Sequence, residues 1–66
     1  MLVVANGMKR EVTTDCTAAE LLDELALTED RVAVERNGEV IARQELTATR
    51  LCAGDIVEIV RFVGGG

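Results

Sequence analysis

Two Asn-Gly dipeptides, at positions 6–7 and 37–38, constrain the fold of this chain more than any other feature. Both central residues of a type I′ turn need positive φ, which Asn and Gly tolerate, so each dipeptide predicts a β-hairpin. The flanking runs of β-branched or alternating residues predict strands at 2–5 and 8–13 and again at 31–35 and 39–41. The first strand is apolar throughout, and we expect it to be buried on both faces.

Between the hairpins the sequence predicts one amphipathic helix. Thr17 and Glu20 form the capping-box pattern, in which the hydroxyl and the carboxylate each bond to the other residue's backbone amide. Apolar residues then recur at three- and four-residue spacing: Ala18, Leu21, Leu22 and Leu25. The helix should end near Leu27 and bury this face against a sheet.

The last third of the chain predicts one more strand. Residues 42–53 are polar and irregular, with room for a single helical turn. Residues 56–62 form the longest run of high β-propensity, which favours a central strand. The predicted fold class is therefore α+β, a mixed four- or five-stranded sheet packed on one main helix.

Size and charge exclude several classes of function. Sixty-six residues form one small domain, too small for an enzyme with its own deep cleft, so we expect no enzymatic activity. The formal net charge is -5, and Phe62 is the only aromatic residue. Nucleic acid is therefore not an expected partner, because the chain lacks a basic face and a stacking platform.

The residue inventory also argues against metal binding, disulfide bonding and membrane insertion. The chain has no His and only two cysteines, Cys16 and Cys52, which is too few for a structural zinc site. We expect both thiols to be reduced and to serve as small packing residues, and a redox or sulfur-relay role for either is the open alternative. The longest apolar stretch, residues 1–5, is far shorter than a membrane span. The predicted location is the cytoplasm.

The C-terminal glycines are the strongest candidate for chemistry. Gly64, Gly65 and Gly66 follow the last strand directly and end in a carboxylate, which predicts a domain at 1–63 and a flexible tail at 64–66. Four residues from Val63 onward reach about 13 Å when extended, long enough to thread a carboxylate into another protein's active site. The alternative is an ordinary frayed chain end.

The whole chain resembles a known family. The Asn37-Gly38 hairpin, the Gly54-Asp55 turn, the run at residues 57–63 and the terminal glycines are similar to the ThiS family of sulfur carriers in thiamine biosynthesis. That family belongs to the ubiquitin-like β-grasp superfamily. The resemblance implies a β-grasp fold.

The resemblance also implies a role as a cosubstrate. A ThiF-type adenylyltransferase, related to ubiquitin-activating enzymes, would use ATP to adenylate the Gly66 carboxylate. A sulfurtransferase or cysteine desulfurase would supply sulfur to give a thiocarboxylate, which a ThiG-type thiazole synthase would consume. Gly64 and Gly65 would form the access tail. The carrier itself would bind no cofactor, since ATP and sulfur come through the partners.

Three residues before the tail are candidates for partner contact: Arg61, Phe62 and Val63. The alternation of the last strand leaves open whether Phe62 is exposed or in the core. Two other functional classes also stay open. One is a sulfur carrier for molybdopterin or cysteine biosynthesis, and the other is a ubiquitin-like interaction or conjugation module.

Overall fold

The computed structural model describes residues 1–62. Its strands are β1 (Leu2–Ala5), β2 (Met8–Glu11), β3 (Val32–Arg36), β4 (Glu39–Ile41) and β5 (Ile56–Arg61), and its helix is α1 (Ala18–Glu24). Single 3₁₀ turns occur at Glu29–Arg31 and Arg43–Glu45. The second of these is the helical turn expected in the irregular segment, whereas the first has no counterpart among the sequence-based predictions.

All five strands form one mixed sheet in the order β2-β1-β5-β3-β4. The two hairpin pairs and the β3–β5 pair are antiparallel, and β1 runs parallel to β5. The central position predicted for the last strand is confirmed. Positive φ angles at Asn6 (49°), Gly7 (81°), Asn37 (52°) and Gly38 (89°) match the type I′ geometry that the two dipeptides predict.

The helix begins as predicted and ends earlier. The Thr17 hydroxyl accepts the Glu20 amide at 3.1 Å, and the Glu20 carboxylate accepts the Thr17 amide at 2.8 Å, which completes the capping box. The last helical residue is Glu24, not a residue near Leu27. Ala26 adopts a φ of 59°, and Leu27 N–H donates to the Leu22 carbonyl at 2.9 Å, so a Schellman motif ends the helix.

The core lies between α1 and one face of the sheet. Its helical members are Ala18, Leu21 and Leu22, which pack with Val3, Val57 and Ile59 from the two central strands and with Leu46 and Leu51 from the long connection. The expectation that β1 is buried on both faces is wrong. Leu2 is half exposed, because α1 covers one side of the sheet only and the described chain places nothing on the other.

Candidate functional site

The end of β5 positions the residues that were predicted to contact a partner. Arg61 is the last residue of the strand and pairs with Val32 of β3. Phe62 follows it, and its N–H donates to the Arg31 carbonyl at 2.9 Å. Both side chains are exposed, Phe62 by 61%. Phe62 therefore lies on the surface and not in the core.

The remaining predicted site residues are Val63, Gly64, Gly65 and Gly66, and these four lie outside the described residues. The proposed boundary between a domain at 1–63 and a tail at 64–66 falls there as well. The access-tail role and the attachment role of Gly66 therefore stay predictions. Phe62, which directly follows the central strand β5, is the last described residue before these four.

A buried carboxylate fixes the beginning of β5. Asp55 is only 6% exposed and accepts three hydrogen bonds: Oδ2 from Arg36 Nε at 2.9 Å and from the Cys52 amide at 2.7 Å, and Oδ1 from Asn37 Nδ2 at 3.1 Å. Burial acts to raise the pKa of the Asp55 carboxyl, but these hydrogen bonds and the Arg36 charge outweigh it, and the pKa lies below its usual 3.8. Asp55 thus ties the β3–β4 turn to the central strand.

The asparagine of each hairpin turn forms side-chain hydrogen bonds with the backbone of β5. Asn6 Oδ1 accepts the Ile59 amide at 2.7 Å, and Asn6 Nδ2 donates to the Ile59 carbonyl at 3.2 Å. Asn37 Oδ1 accepts the Ile56 amide at 2.9 Å from the other side. The two side chains therefore satisfy backbone groups of β5, and they hold in place the strand that leads to the tail.

Sequence reasoning predicted the turns but missed these contacts of Asn6, Asn37 and Asp55. The only available signal was the residue type itself, because Asn and Asp at turns frequently bond to nearby backbone groups. Their actual partners lie up to 53 residues away, so the local pattern does not reveal them.

The sheet surface opposite α1 is a second candidate for partner contact. We call it the outer face and define it by the exposed side chains of Val40, Ile56, Glu58 and Val60, together with the half-buried Glu35. Val40, Ile56 and Val60 are 70%, 51% and 55% exposed. Three large apolar side chains exposed on one face of a sheet are typical of a protein-binding surface.

The two cysteines differ in environment. Cys16 is buried in the core, as expected, and burial together with nearby Glu24 and Glu20 raises the pKa of its thiol. Cys52 was expected to be a small buried residue, and this is wrong, because it lies exposed on the turn before β5. Its sulfur is 3.8 Å from an Arg36 guanidinium nitrogen. No disulfide joins the two thiols.

Two further expectations can be examined within the described residues. In residues 1–62, no cluster of three His, Cys, Asp or Glu side chains could hold a metal ion. No helix in the same part of the chain is long and apolar enough to cross a membrane.

The chain is similar to proteins of one known family. A family model described as the ThiS family matches residues 3–66. The chain belongs to the ThiS family. The match includes the three terminal glycines as well as the β-grasp body, so the family resemblance seen in the sequence is confirmed.

Two curated relatives of the chain differ greatly in length. The sulfur carrier protein ThiS of Bacillus subtilis is 44% identical over 50 residues, which is 76% of each chain. A thiazole synthase of Paramagnetospirillum magneticum is 39% identical over all 66 residues of this chain. The chain spans only 20% of that relative's length. A ThiS-like segment therefore occurs within a longer protein named for thiazole synthesis.

A solved ThiS-family structure confirms the architecture. The crystal structure of the thiamine biosynthesis protein ThiS from Geobacter metallireducens superimposes with a TM-score of 0.84 at 38% identity, and the match covers all of both chains. The mixed five-stranded sheet with one helix is therefore the ThiS β-grasp fold.

Proposed function

We propose that this protein is a sulfur carrier whose Gly66 carboxylate is adenylated and then converted to a thiocarboxylate that supplies sulfur for thiazole synthesis in thiamine biosynthesis. The observation that carries the proposal is the family match, which runs through the terminal glycines. The protein acts as a cosubstrate and not as an enzyme. The cytoplasmic location expected from the sequence stays a prediction.

The chemistry needs little from the carrier. A carboxylate is a poor acyl donor until one oxygen becomes part of a leaving group, and ATP achieves this by forming an acyl-adenylate with release of pyrophosphate. The terminal sulfur of a cysteine persulfide then attacks the acyl carbon and displaces AMP, and a thiol cleaves the resulting disulfide to leave the thiocarboxylate. The partners supply ATP and sulfur, so the carrier binds no cofactor of its own.

Three partner enzymes follow from this scheme. A ThiF-type adenylyltransferase activates Gly66, a sulfurtransferase or cysteine desulfurase delivers sulfur, and a ThiG-type thiazole synthase accepts it. The relatives named thiazole synthase support the third partner. Arg61, Phe62 and Val63 contact partners next to the tail, and the exposure of the first two supports that role.

The tail is also suited to the task by its composition. Gly64 and Gly65 carry no Cβ, so they can pass through a narrow channel and adopt conformations that other residues resist. A β-branched side chain at Gly65 would add bulk and restrict the backbone at that point.

The test is an ATP–pyrophosphate exchange assay with the adenylating partner, run beside a binding measurement. Removal of Gly65 and Gly66 should abolish exchange, because the new carboxylate falls short by about 7 Å of extended chain. Binding of the folded body should survive the truncation. The Gly65→Val variant keeps the length and should still exchange more slowly than the parent. Exchange at the parent's rate by the truncated chain would refute Gly66 as the reacting group.

A further inference from the structure

The two Asn-Gly turns are places where a protein chain can change chemically without an enzyme. The backbone nitrogen of the second residue attacks Cγ of the asparagine, ammonia leaves, and a succinimide ring forms. Water then opens the ring to give aspartate or isoaspartate, so the net change is hydrolysis of one side-chain amide to a carboxylate. Glycine in the second position hinders the attack least, because it has no Cβ. Gly7 and Gly38 hold this position, and both are exposed to water.

Ring closure needs an asparagine side chain that is free to turn, and the fold holds both of them. Asn37 Oδ1 accepts the Ile56 amide at 2.9 Å, and its Nδ2 donates to Asp55 Oδ1 at 3.1 Å. Asn6 Oδ1 accepts the Ile59 amide at 2.7 Å, and its Nδ2 donates to the Ile59 carbonyl at 3.2 Å. Each side chain must leave these partners before Cγ can approach the glycine nitrogen. The folded protein should therefore suppress the reaction at both turns.

The two asparagines differ in how firmly their partners are held. Ile59, the partner of Asn6, lies within the stretch of β5 that pairs with β3. Ile56 precedes that stretch, and in the described sheet it pairs with β1 alone. The second partner of Asn37 is the side chain of Asp55 and not a backbone group. Strand ends open locally more often than strand interiors, so Asn37 should be released more often than Asn6.

We propose that Asn37 is a site of spontaneous deamidation and that Asp55 controls the rate by holding its side-chain amide. The Asn-Gly sequence makes the reaction possible, and the hydrogen bond to Asp55 keeps Cγ away from the Gly38 nitrogen while the junction is closed. The inference concerns the body of the protein and does not depend on the proposed function.

The product disturbs the same junction. Aspartate or isoaspartate at position 37 has a carboxylate oxygen in place of the donor Nδ2, and this oxygen faces Asp55 Oδ1. Asp55 is only 6% exposed, so the two negative charges repel at a site with little water to screen them. At position 6 the new carboxylate faces the uncharged carbonyl of Ile59 instead. Deamidation of Asn37 should therefore loosen the attachment of its turn to β5 more than deamidation of Asn6 does.

The experiment follows deamidation of the full chain at mildly alkaline pH, with mass spectrometry of tryptic peptides taken at successive times. Trypsin places positions 6, 37 and 55 on separate peptides, 1–9, 37–43 and 51–61. The parent is measured in buffer and in guanidinium chloride, and Asp55→Asn is measured in buffer. The asparagine that this variant introduces precedes Ile56, whose branched side chain hinders the same attack. Thr17→Ala is the matched control, because it lowers stability at the start of α1, away from both turns.

The expected rates separate local control from general loosening. In the native parent Asn37 should react faster than Asn6, and both should react about tenfold or more faster in denaturant, where the fold no longer holds them. Asp55→Asn should accelerate Asn37 by about threefold or more, the effect of one lost hydrogen bond, while Asn6 keeps the parent's rate. Thr17→Ala should change both rates by the same factor.

A pair of aspartate variants tests the effect of the product. Asn37→Asp and Asn6→Asp both keep a sequence that suits a type I′ turn, since Asp-Gly is also favoured there. Each variant loses the hydrogen bond from Nδ2, but Asn37→Asp alone places the new charge against Asp55. Asn37→Asp should therefore unfold at a lower urea concentration than Asn6→Asp.

Four results would overturn the inference. The first is an equal rate at Asn37 in the native chain and in denaturant, because the fold would then give no protection. The second is faster reaction at Asn6 than at Asn37 in the native parent. The third is acceleration of both sites by one factor in Asp55→Asn, which would indicate general loosening. The fourth is equal stability of the two aspartate variants.

Discussion

Replacement of Asp55 by Asn is the most informative single perturbation of the body that carries the tail. The parent carboxylate accepts hydrogen bonds from Arg36, Asn37 and the Cys52 amide. An asparagine has one acceptor oxygen, so at least one of these donors must face an NH₂ group. Rotation of the Asn37 amide offers no relief, because its oxygen already accepts the Ile56 amide at 2.9 Å.

The magnitude follows from the bonds that are lost. If the new oxygen replaces Oδ2, it keeps the Arg36 and Cys52 bonds, and the donor–donor contact falls on Asn37 Nδ2. One lost hydrogen bond to a buried charged group, with its donor left unsatisfied, should lower the free energy of unfolding by about 1–3 kcal/mol. The structural consequence should be a looser junction between the β3–β4 turn and the start of β5.

The pH dependence has a defined sign. Because the pKa of Asp55 is lower in the folded protein than the ordinary 3.8, its carboxylate stabilises the fold fully above pH 3.8. That contribution is lost as the pH falls through the folded-state pKa. Asn does not titrate, so the difference in stability between parent and Asp55→Asn should be greatest at neutral pH and should shrink below pH 3.8.

Urea unfolding at neutral pH and over a descending acid series provides the assay, with Asp23→Asn as a control at an exposed position on α1. The reasoning is refuted if Asp55→Asn costs no more than the control. It is also refuted if the difference between parent and variant stays constant across the acid series.

Three further predictions concern the helix and the thiols. Thr17→Ala removes the hydroxyl that caps α1 and should lower the free energy of unfolding by ~1 kcal/mol in urea, and an unchanged value would contradict the cap. Ala26→Gly relieves a φ of 59° and should raise stability by about 0.5–1 kcal/mol in the same assay, whereas a loss would show that the Schellman geometry is wrong. A thiol reagent should modify exposed Cys52 in the native protein but buried Cys16 only in denaturant, and two reactive thiols in the native state would contradict the described core.

Local chemistry explains which elements the sequence predicted correctly. The Asn-Gly turns and the capping box are specified within four residues, and the structure confirms them. The helix end was placed too late, because it depends on Ala26 adopting positive φ, which residue type does not favour. The exposure of Cys52 was not predicted from the sequence. It depends on how distant strands pack around the turn before β5, and the local pattern does not show this.

One part of the candidate site could likewise be predicted from the local sequence, and the other part depends on the assembled sheet. The glycine tail and the residues before it were identified from composition and resemblance. The cross-strand pairing of Glu35 with Glu58 on the outer face could not be predicted, because it depends on the register between β3 and β5. A long connection separates these two strands. The hydrogen bonds of Asp55 and Asn6 likewise need the assembled sheet, since their partners come from other parts of the chain.

The central claim is that Gly66 carries sulfur, and the intact mass of the protein tests it most directly. The carrier is incubated with ATP, magnesium, the adenylating enzyme and a persulfide donor, beside a chain that lacks Gly65 and Gly66. We expect the full chain alone to gain the difference in mass between a sulfur and an oxygen atom, and fragmentation should assign it to Gly66. An unchanged mass, or sulfur found on Cys52 instead, would contradict the claim.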